Sequence, residues 1–251
     1  MSPLSDKTTI VVGASRGLGH RIAIALAEAG ARVVAVSRTA VTFPDPTGAG
    51  TIEPEVADAA DATVAGSLLD RHEPDAVVLV AGATPHMRPL QHQTWETFSV
   101  NWQADVRIAF HWLREALLRP LRPGSRVVVF SSGAALNPGG SPLSGGYAGA
   151  KATQRLITGY AQEEADRAGL DLTFTALMPQ FAPDTGVGRP AVRAYAAHAG
   201  QPVAEYLEQR PFPLLSPEVA GAALVDLLEA DAAAVAPAYI LNGAGLEEVP
   251  R

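Results

Sequence analysis

The sequence predicts an α/β fold in which helices cover both faces of a doubly wound parallel sheet, and two observations indicate it. Short apolar segments alternate with longer segments of helical periodicity along the whole chain, and the segments 76–80 and 126–130 are apolar at nearly every position. Such runs are typical of parallel strands buried on both faces, and strand–helix alternation favours right-handed crossovers between them. No internal repeat or linker divides the 251 residues, so we expect a single domain over residues 1–251.

Seven strands are predicted in this sheet. Most are short apolar segments, and the third is weaker. The third contains Pro54, which has no N–H to donate to a neighbouring strand, so it is expected at an edge of the sheet. In chain order the predicted strands are Thr8–Val12, Arg32–Val36, Thr51–Val56, Ala76–Val80, Arg126–Phe130, Leu172–Leu177 and Tyr239–Leu241.

Four longer segments have the spacing of amphipathic helices. The last of them starts with Ser216 and Pro217, an N-cap residue followed by a proline in the first turn, where its missing N–H leaves no hydrogen bond unmade. The helices are predicted at about 17–29, 95–118, 147–168 and 217–229.

Two irregular segments remain, a loop at 134–146 that is rich in Gly, Ser and Pro and an insertion at 180–215. Long insertions at the carboxyl ends of strands are where open α/β sheets carry substrate loops and lids. We therefore expect 180–215 to form a substrate lid with one or two short helices. Its aromatic residues Tyr195, Tyr206 and Phe212 are expected to pack within the lid, and pocket lining is the alternative.

Composition and charge exclude several classes of function. The net charge is −7 without basic clusters, which disfavours nucleic-acid binding, and no run of about 18 apolar residues could span a bilayer. The chain has no Cys, and its six His lack ligand spacing, so no metal site is expected. Without disulfides or a signal-peptide pattern, the cytoplasm is the expected location.

A glycine motif joins the first predicted strand to the first helix. Its residues Gly13, Gly17 and Gly19 permit positive φ and let the backbone approach a ligand closely. The helix N-terminus behind them offers free N–H groups and a positive dipole end to a pyrophosphate. This strand–turn–helix context favours a Rossmann-type dinucleotide site, and a tight turn without a ligand is the alternative.

Tyr147 and Lys151 form a candidate acid–base unit. Residues four positions apart lie on one face of a helix, so the ammonium group is expected beside the phenol. A nearby cation favours the phenolate, which prepares a phenol to give a proton to a carbonyl oxygen or to accept one in the reverse direction. The pattern is common by chance, and an exposed pair on a helix surface is the alternative.

These motifs occur in an order that resembles the short-chain dehydrogenase/reductase family. The glycine loop is followed by Asn101, Ser132, Tyr147 and Lys151, and the resemblance covers nearly the whole chain. It implies that Tyr147 is the catalytic acid/base and that Lys151 promotes its ionisation and binds the nicotinamide ribose. Ser132 would hold the substrate oxygen, and Asn101 would place a water in the proton relay.

The resemblance also implies where a nicotinamide dinucleotide would bind. NAD-dependent members carry an acidic residue at the end of the second strand, whereas this chain has Ser37 followed by Arg38. Arg38 and Arg16 suit a 2′-phosphate, so NADP(H) is expected in preference to NAD(H), and solvated arginines are the alternative. Asp58 would lie beside the adenine and Thr185 beside the carboxamide. The implied cofactor-binding residues are Gly13, Ser15, Arg16, Gly17, Leu18, Gly19, Ser37, Arg38, Asp58, Ala81, Gly82, Tyr147, Lys151, Pro179 and Thr185.

Three features depart from the family pattern. Residues 79–80, Leu-Val, replace two asparagines that brace the sheet. Gln180 replaces a glycine whose backbone angles another residue adopts only at a cost, so a different path is expected for the loop that follows. Ser132 lies 15 residues before the tyrosine, slightly farther than is usual, which leaves Ser131 and Ser144 as alternative catalytic serines.

Together these features predict an enzyme that transfers hydride between NADPH and a ketone or other carbonyl compound, in either direction. A small-molecule carbonyl or alcohol substrate is the expected partner, and a homodimer or homotetramer is the expected assembly. One alternative is a dinucleotide-binding sensor or scaffold without turnover. Another is an epimerase or dehydratase that passes through a transient ketone.

Overall fold

The computed structural model describes residues 4–137 and 141–249, and one sheet runs through its centre. In the described part of the chain this sheet has eight strands, in the order β3-β2-β1-β4-β5-β6-β7-β8; all neighbours up to β7 are parallel, and β8 is antiparallel to β7. The strands are β1 Thr8–Val12, β2 Arg32–Ser37, β3 Thr51–Val56, β4 Ala76–Leu79, β5 Ser125–Phe130, β6 Leu172–Pro179, β7 Ala238–Asn242 and β8 Gly245–Glu248.

Helices cover both faces of the sheet, which confirms the predicted doubly wound fold. In the described ranges the helices are α1 Gly17–Glu28, α2 Ala62–His72, α3 Trp95–Phe98, α4 Arg107–Leu118, α5 Gly145–Arg167, α6 Gly188–His198, α7 Val203–Glu208 and α8 Pro217–Glu229. Successive residues of β1 point to opposite faces: Val11 joins the core under α1 and α8, whereas Ile10 and Val12 join the core under α2, α4 and α5.

All seven predicted strands are present, and two further elements are not among the predictions. The strand that contains Pro54 lies at the sheet edge, as its missing N–H requires. Helix α2 has a weak apolar pattern, and its start is fixed locally, because Asp61 accepts the backbone N–H of Thr63 at 2.8 Å. Strand β8 has exposed glutamates and pairs through a tight turn at Gly245, so apolar alternation gives it no signal.

The prediction of one helix over 95–118 is wrong. The structure has α3 and α4 there, separated by a π-helical turn at Trp102–Val106. Two buried polar side chains, Asn101 and Asp105, bond the loop after β4 instead of forming an apolar helix face. Wide turns of this kind interrupt helices frequently at functional sites.

The insertion at 180–215 carries two short helices, α6 and α7, as predicted. The predicted loop at 134–146 lies partly outside the described residues, since 138–140 are not among them. Ser216 caps α8 by accepting the backbone N–H of Val219 at 3.2 Å, with Pro217 in the first turn. Over 4–137 and 141–249, no helix combines the length and the apolar character that a bilayer crossing requires.

Candidate active site

A cavity of about 1110 Å³ opens at the carboxyl ends of the central strands. Residues that follow β1, β2, β4 and β5 form its wall, together with the start of α5 and the lid. Every residue of the predicted cofactor-binding set lines this cavity, and so do Ser132, Tyr147 and Lys151. Asn101 lies outside the wall, in a small void that it shares with Tyr147.

The glycine loop brings backbone to the cavity where no side chain would fit. Gly13 has φ 95°, and a Cβ there would lie 2.5 Å from the backbone nitrogen of Ala81. A Cβ at Gly19 would lie 2.3 Å from the carbonyl oxygen of Gly13. Helix α1 starts behind this loop, and no described side chain caps its first turn. Free N–H groups and the helix dipole are therefore directed at the cavity, an arrangement that fits a dinucleotide pyrophosphate.

Two exposed arginines stand at the rim beside this loop. Among residues 4–137 and 141–249, no carboxylate lies within 4.0 Å of the guanidinium of Arg16 or Arg38. Ser37 donates its hydroxyl to the carbonyl of Thr39 at 2.6 Å, and Asp58 accepts the backbone N–H of Ala60 at 3.1 Å. The end of β2 thus carries Ser37 and Arg38 in place of an acidic residue, and Arg16, just before α1, adds a second cation at the same rim.

Tyr147 and Lys151 lie in the first two turns of α5 and face each other. The Lys151 Nζ is 5.6 Å from the centroid of the Tyr147 ring, and the lysine side chain is buried. Tyr147 is half-buried, and its hydroxyl has no hydrogen bond to another described residue, which leaves it available to a substrate. The exposed helix pair is therefore ruled out.

Lys151 is held by three acceptors. Its Nζ donates to the carbonyl of Phe130 at 3.1 Å and to Gln154 Oε1 at 2.8 Å, and it lies 3.1 Å from Asp105 Oδ2. Burial alone lowers the pKa of Lys151, but the charges of Asp105 and Tyr147 and the hydrogen bond with Asp105 raise it by more. The net direction is upward, so the ammonium form persists in the buried site.

The three candidate serines have different surroundings. Ser131 is buried and donates its hydroxyl to the backbone carbonyl of Lys151 at 2.7 Å. The Ser144 hydroxyl lies 2.6 Å from that of Tyr195 in the lid. Among the described residues, the Ser132 hydroxyl only accepts, from the N–H of Ala134 at 3.2 Å, so its own O–H is available to a substrate oxygen. These contacts favour Ser132 over the two alternatives.

Sequence reasoning missed the residue that connects Asn101 with Lys151. Asp105 is 1% exposed, and its carboxylate accepts the amide of Asn101 at 3.2 and 3.3 Å. Asn101 also donates to the carbonyl of Ala83 at 2.7 Å, and its Oδ1 is buried without a partner in the described chain. The available signal was an acidic residue four positions after Asn101, which places both side chains on one side of the segment.

Gln180 does not need the backbone angles of the glycine that it replaces. No positive φ occurs at Gln180, and its side-chain amide lies over Gly133, where a Cβ would be 2.4 Å from Oε1. Thr185 nevertheless lies at the cavity, 3.7 Å from the position of a Cβ at Gly17. Its hydroxyl donates to the carbonyl of Ala182 at 2.9 Å and accepts the N–H of Gly188 at 2.9 Å.

The lid contributes an aromatic end to the cavity. The ring of Phe181 packs on those of Tyr195, Tyr206 and Phe212, with centroids 6.1 to 6.3 Å apart. The guanidinium of Arg210 lies 4.2 Å from the centroid of the Tyr206 ring. The two expectations for these aromatics both apply, because the residues pack within the lid and line the cavity. Within 4–137 and 141–249, no three His, Cys, Asp or Glu residues are grouped as metal ligands.

Comparison with known proteins identifies the family of the chain. Residues 7–191 match the model of the short chain dehydrogenases. The chain belongs to the short-chain dehydrogenase/reductase family. This family consists of oxidoreductases that bind an NAD(P) dinucleotide and act on alcohol and carbonyl groups.

Two named relatives are similar in sequence. A short-chain type dehydrogenase/reductase of Picea abies is 30% identical over 195 residues, which are 70% of each chain. A D-erythrulose reductase of Gallus gallus is 31% identical over 130 residues, 50% of this chain and 52% of that one. The chain therefore matches about half the length of the second relative.

Solved structures show the same fold over nearly the whole chain. Levodione reductase superposes with a TM-score of 0.80 at 20% identity, covering 96% of this chain and 98% of that one. A short-chain type dehydrogenase/reductase from Mycobacterium ulcerans has a TM-score of 0.78 at 22% identity, covering 97% and 93%. At these identities the likeness concerns the fold alone.

Proposed function

We propose that the protein reduces a ketone or other carbonyl compound to an alcohol with NADPH, or runs the reverse oxidation. One observation carries the proposal: within the described residues, the hydroxyls of Ser132 and Tyr147 have no acceptor and Arg16 and Arg38 have no carboxylate partner, and all four line one cavity with the glycine loop. A sensor would need the loop but neither hydroxyl.

Each residue has a distinct part in this reaction. NADPH, when bound, supplies the hydride. Ser132 and Tyr147 donate hydrogen bonds to the carbonyl oxygen and polarise it, and Tyr147 transfers its proton to that oxygen as the alkoxide forms. Lys151 stabilises the phenolate that remains, and Asn101 takes part in the relay that returns a proton from solvent.

The preference for NADPH over NADH rests on charge. Arg16 and Arg38 would bind the 2′-phosphate, because guanidinium groups donate paired hydrogen bonds to phosphate oxygens. Ser37 stands at the position where an acidic side chain would repel the 2′-phosphate. Along the rest of the cavity wall, the glycine loop would bind the pyrophosphate, and Thr185 would contact the carboxamide.

The cofactor is tested first, by energy transfer from the tryptophans to bound NADPH or NADH. NADPH is expected to bind at least about tenfold more tightly than NADH. Arg38→Ala is expected to weaken NADPH binding by about 10- to 100-fold, which corresponds to the loss of one or two charged hydrogen bonds, and to change NADH binding little. Arg167→Ala is the control, since Arg167 lies at the far end of α5. Equal affinity for the two dinucleotides would contradict the preference.

Turnover is tested with a panel of ketones and a Tyr147→Phe variant. The variant is expected to keep NADPH affinity and to lose about 10²- to 10⁴-fold in kcat, because it lacks the proton donor. One NADPH should be oxidised for each alcohol formed, whereas an epimerase or dehydratase would consume none. A Tyr147→Phe enzyme with the wild-type rate would refute the mechanism.

A further inference from the structure

One buried carboxylate has no part in the reaction as proposed so far. Asp105 belongs to the π-helical turn at Trp102–Val106, and its two oxygens have separate partners. Oδ1 accepts the backbone N–H of Ala83 at 2.8 Å, and Oδ2 lies 3.1 Å from Lys151 Nζ. In addition, Asn101, the residue directly before this turn, donates its amide to both oxygens. The carboxylate therefore joins the lysine to the loop that follows β4.

Asp105 and Asn101 bond this loop through its backbone at Ala83, because the loop has no polar side chains of its own near the cavity. Residues 79–83 are Leu-Val-Ala-Gly-Ala, and only backbone groups of this segment are available for hydrogen bonds. The carboxylate reaches them because residue 82 is glycine: a Cβ there would lie 2.7 Å from Asp105 Oδ2. The Asp105 carboxylate thus fits against position 82 because glycine has no side chain there.

The Asp105 carboxylate also affects the position and the charge balance of the Lys151 ammonium. An ammonium group has three N–H donors, and those of Lys151 are matched by three acceptors, the Phe130 carbonyl, Gln154 and Asp105. Asp105 is the one acceptor of the three with a full negative charge. A buried ammonium without a counter-ion is costly, so the carboxylate both fixes the position of Lys151 and balances its charge beside Tyr147.

We infer that Asp105 is a positioning residue for the reaction: it holds the Lys151 ammonium beside Tyr147 and couples that ammonium to the loop over the cofactor cavity. In this role Asp105 acts through Lys151. The kinetic part of the inference rests on the proposed reduction, whereas the ion pair itself does not.

Stability tests the pair without any substrate. Asp105→Asn and Lys151→Met each leave one buried partner uncompensated, and each is expected to lower the thermal midpoint by about 10 °C. The double variant Asp105→Asn/Lys151→Met leaves no buried charge and is expected to lie closer to the wild type than either single variant. If the two losses simply add, the residues are not coupled and the inference is overturned.

The pH profile of carbonyl reduction separates positioning from mere stability. Asp105 and Tyr147 are the titratable groups that face Lys151 in the described chain. Without the negative charge of Asp105, the pKa of Lys151 falls, because the counter-ion that raises it is gone. The alkaline limb of kcat is therefore expected to move to lower pH in Asp105→Asn. In Asp105→Glu, which keeps the charge, it is expected to stay in place.

Asp75→Asn is the matched control. Asp75 also accepts a backbone N–H, that of Thr8 at 2.8 Å, but it lies at the opposite ends of the strands, before β4. It is expected to lower the thermal midpoint and leave the pH profile unchanged. An alkaline limb that does not move in a folded, active Asp105→Asn enzyme would overturn the inference. If no carbonyl compound is reduced, the proposed function fails, and the stability cycle still decides whether the pair exists.

Discussion

At the scale of single residues, the two adjacent serines after β5 provide a direct contrast. Ser132 is expected to donate to the substrate oxygen, so Ser132→Ala should lower kcat by about 10²-fold, as the loss of one oxyanion donor does elsewhere. Ser131 bonds the backbone of α5, so Ser131→Ala should cost about 1 kcal/mol of stability and change kcat only a few-fold. Steady-state rates and urea unfolding of both variants measure this difference, and a larger rate loss in Ser131→Ala would reverse the assignment.

The residues that the sequence could reveal are those whose spacing itself carries the chemistry. Tyr147 and Lys151 meet because they are four positions apart on one helix, and the glycines lie between a strand and a helix. Asp105 has no such local signal for its contact with Lys151, because the two come together only when α5 packs beside the π-helical turn. The position of the Gln180 amide over Gly133 likewise depends on the packing of two separate loops.

At the scale of elements, the phenol of Tyr195 links the lid to the end of the loop at 134–146. The Tyr195 hydroxyl on α6 bonds those of Ser141 and Ser144, just before α5. Tyr195→Phe removes these bonds and keeps the ring against Phe181, so the lid should open more often. We expect KM for the carbonyl substrate to rise by up to about 30-fold with the NADPH affinity unchanged, since the two lost bonds contribute about 1 kcal/mol each. Faster tryptic cleavage at Arg193 would accompany it.

Ser144→Ala removes one of the same bonds from the opposite side and serves as the paired variant. If the two hydroxyls act together, the double variant should raise KM little beyond the larger single effect. A Tyr195→Phe enzyme with wild-type KM and wild-type tryptic cleavage would show that the hydroxyl contacts do not hold the lid.

The elements that the sequence predicted correctly are those with strong periodicity, and the errors have local causes. Six of the seven parallel strands are largely buried and have apolar runs that solvent-facing segments lack, whereas β3 is largely exposed and its proline indicates the sheet edge. The segment 95–118 has enough apolar residues to suggest one helix, but a π-helical turn lies within it, where the polar residues Asn101 and Asp105 are buried. Helix α2 and strand β8 pack with few large apolar residues, so their presence depends on a cap and a tight turn.

At the scale of the whole molecule, exposed apolar side chains on α4 and α5 bear on the proposed homodimer or homotetramer. These helices pack side by side on one face of the sheet, and Phe110, Leu156 and Tyr160 are 53%, 72% and 59% exposed there. Leu156 and Tyr160 are four positions apart, so they share one face of α5. Apolar surface of this kind favours contact with a second copy of the chain over contact with water.

Light scattering of the purified protein tests this assembly. The wild-type mass is expected to be two or four times that of the 26.1 kDa chain, and Leu156→Glu is expected to reduce it, because a charge at the centre of an apolar contact is left unpaired when copies associate. Leu90→Glu is the matched control: Leu90 is 75% exposed but lies on a short turn before α3, away from α4 and α5. A monomeric wild type, or the same mass in both variants, would refute this interface. A smaller assembly that keeps its kcat would show that each chain carries a complete active site.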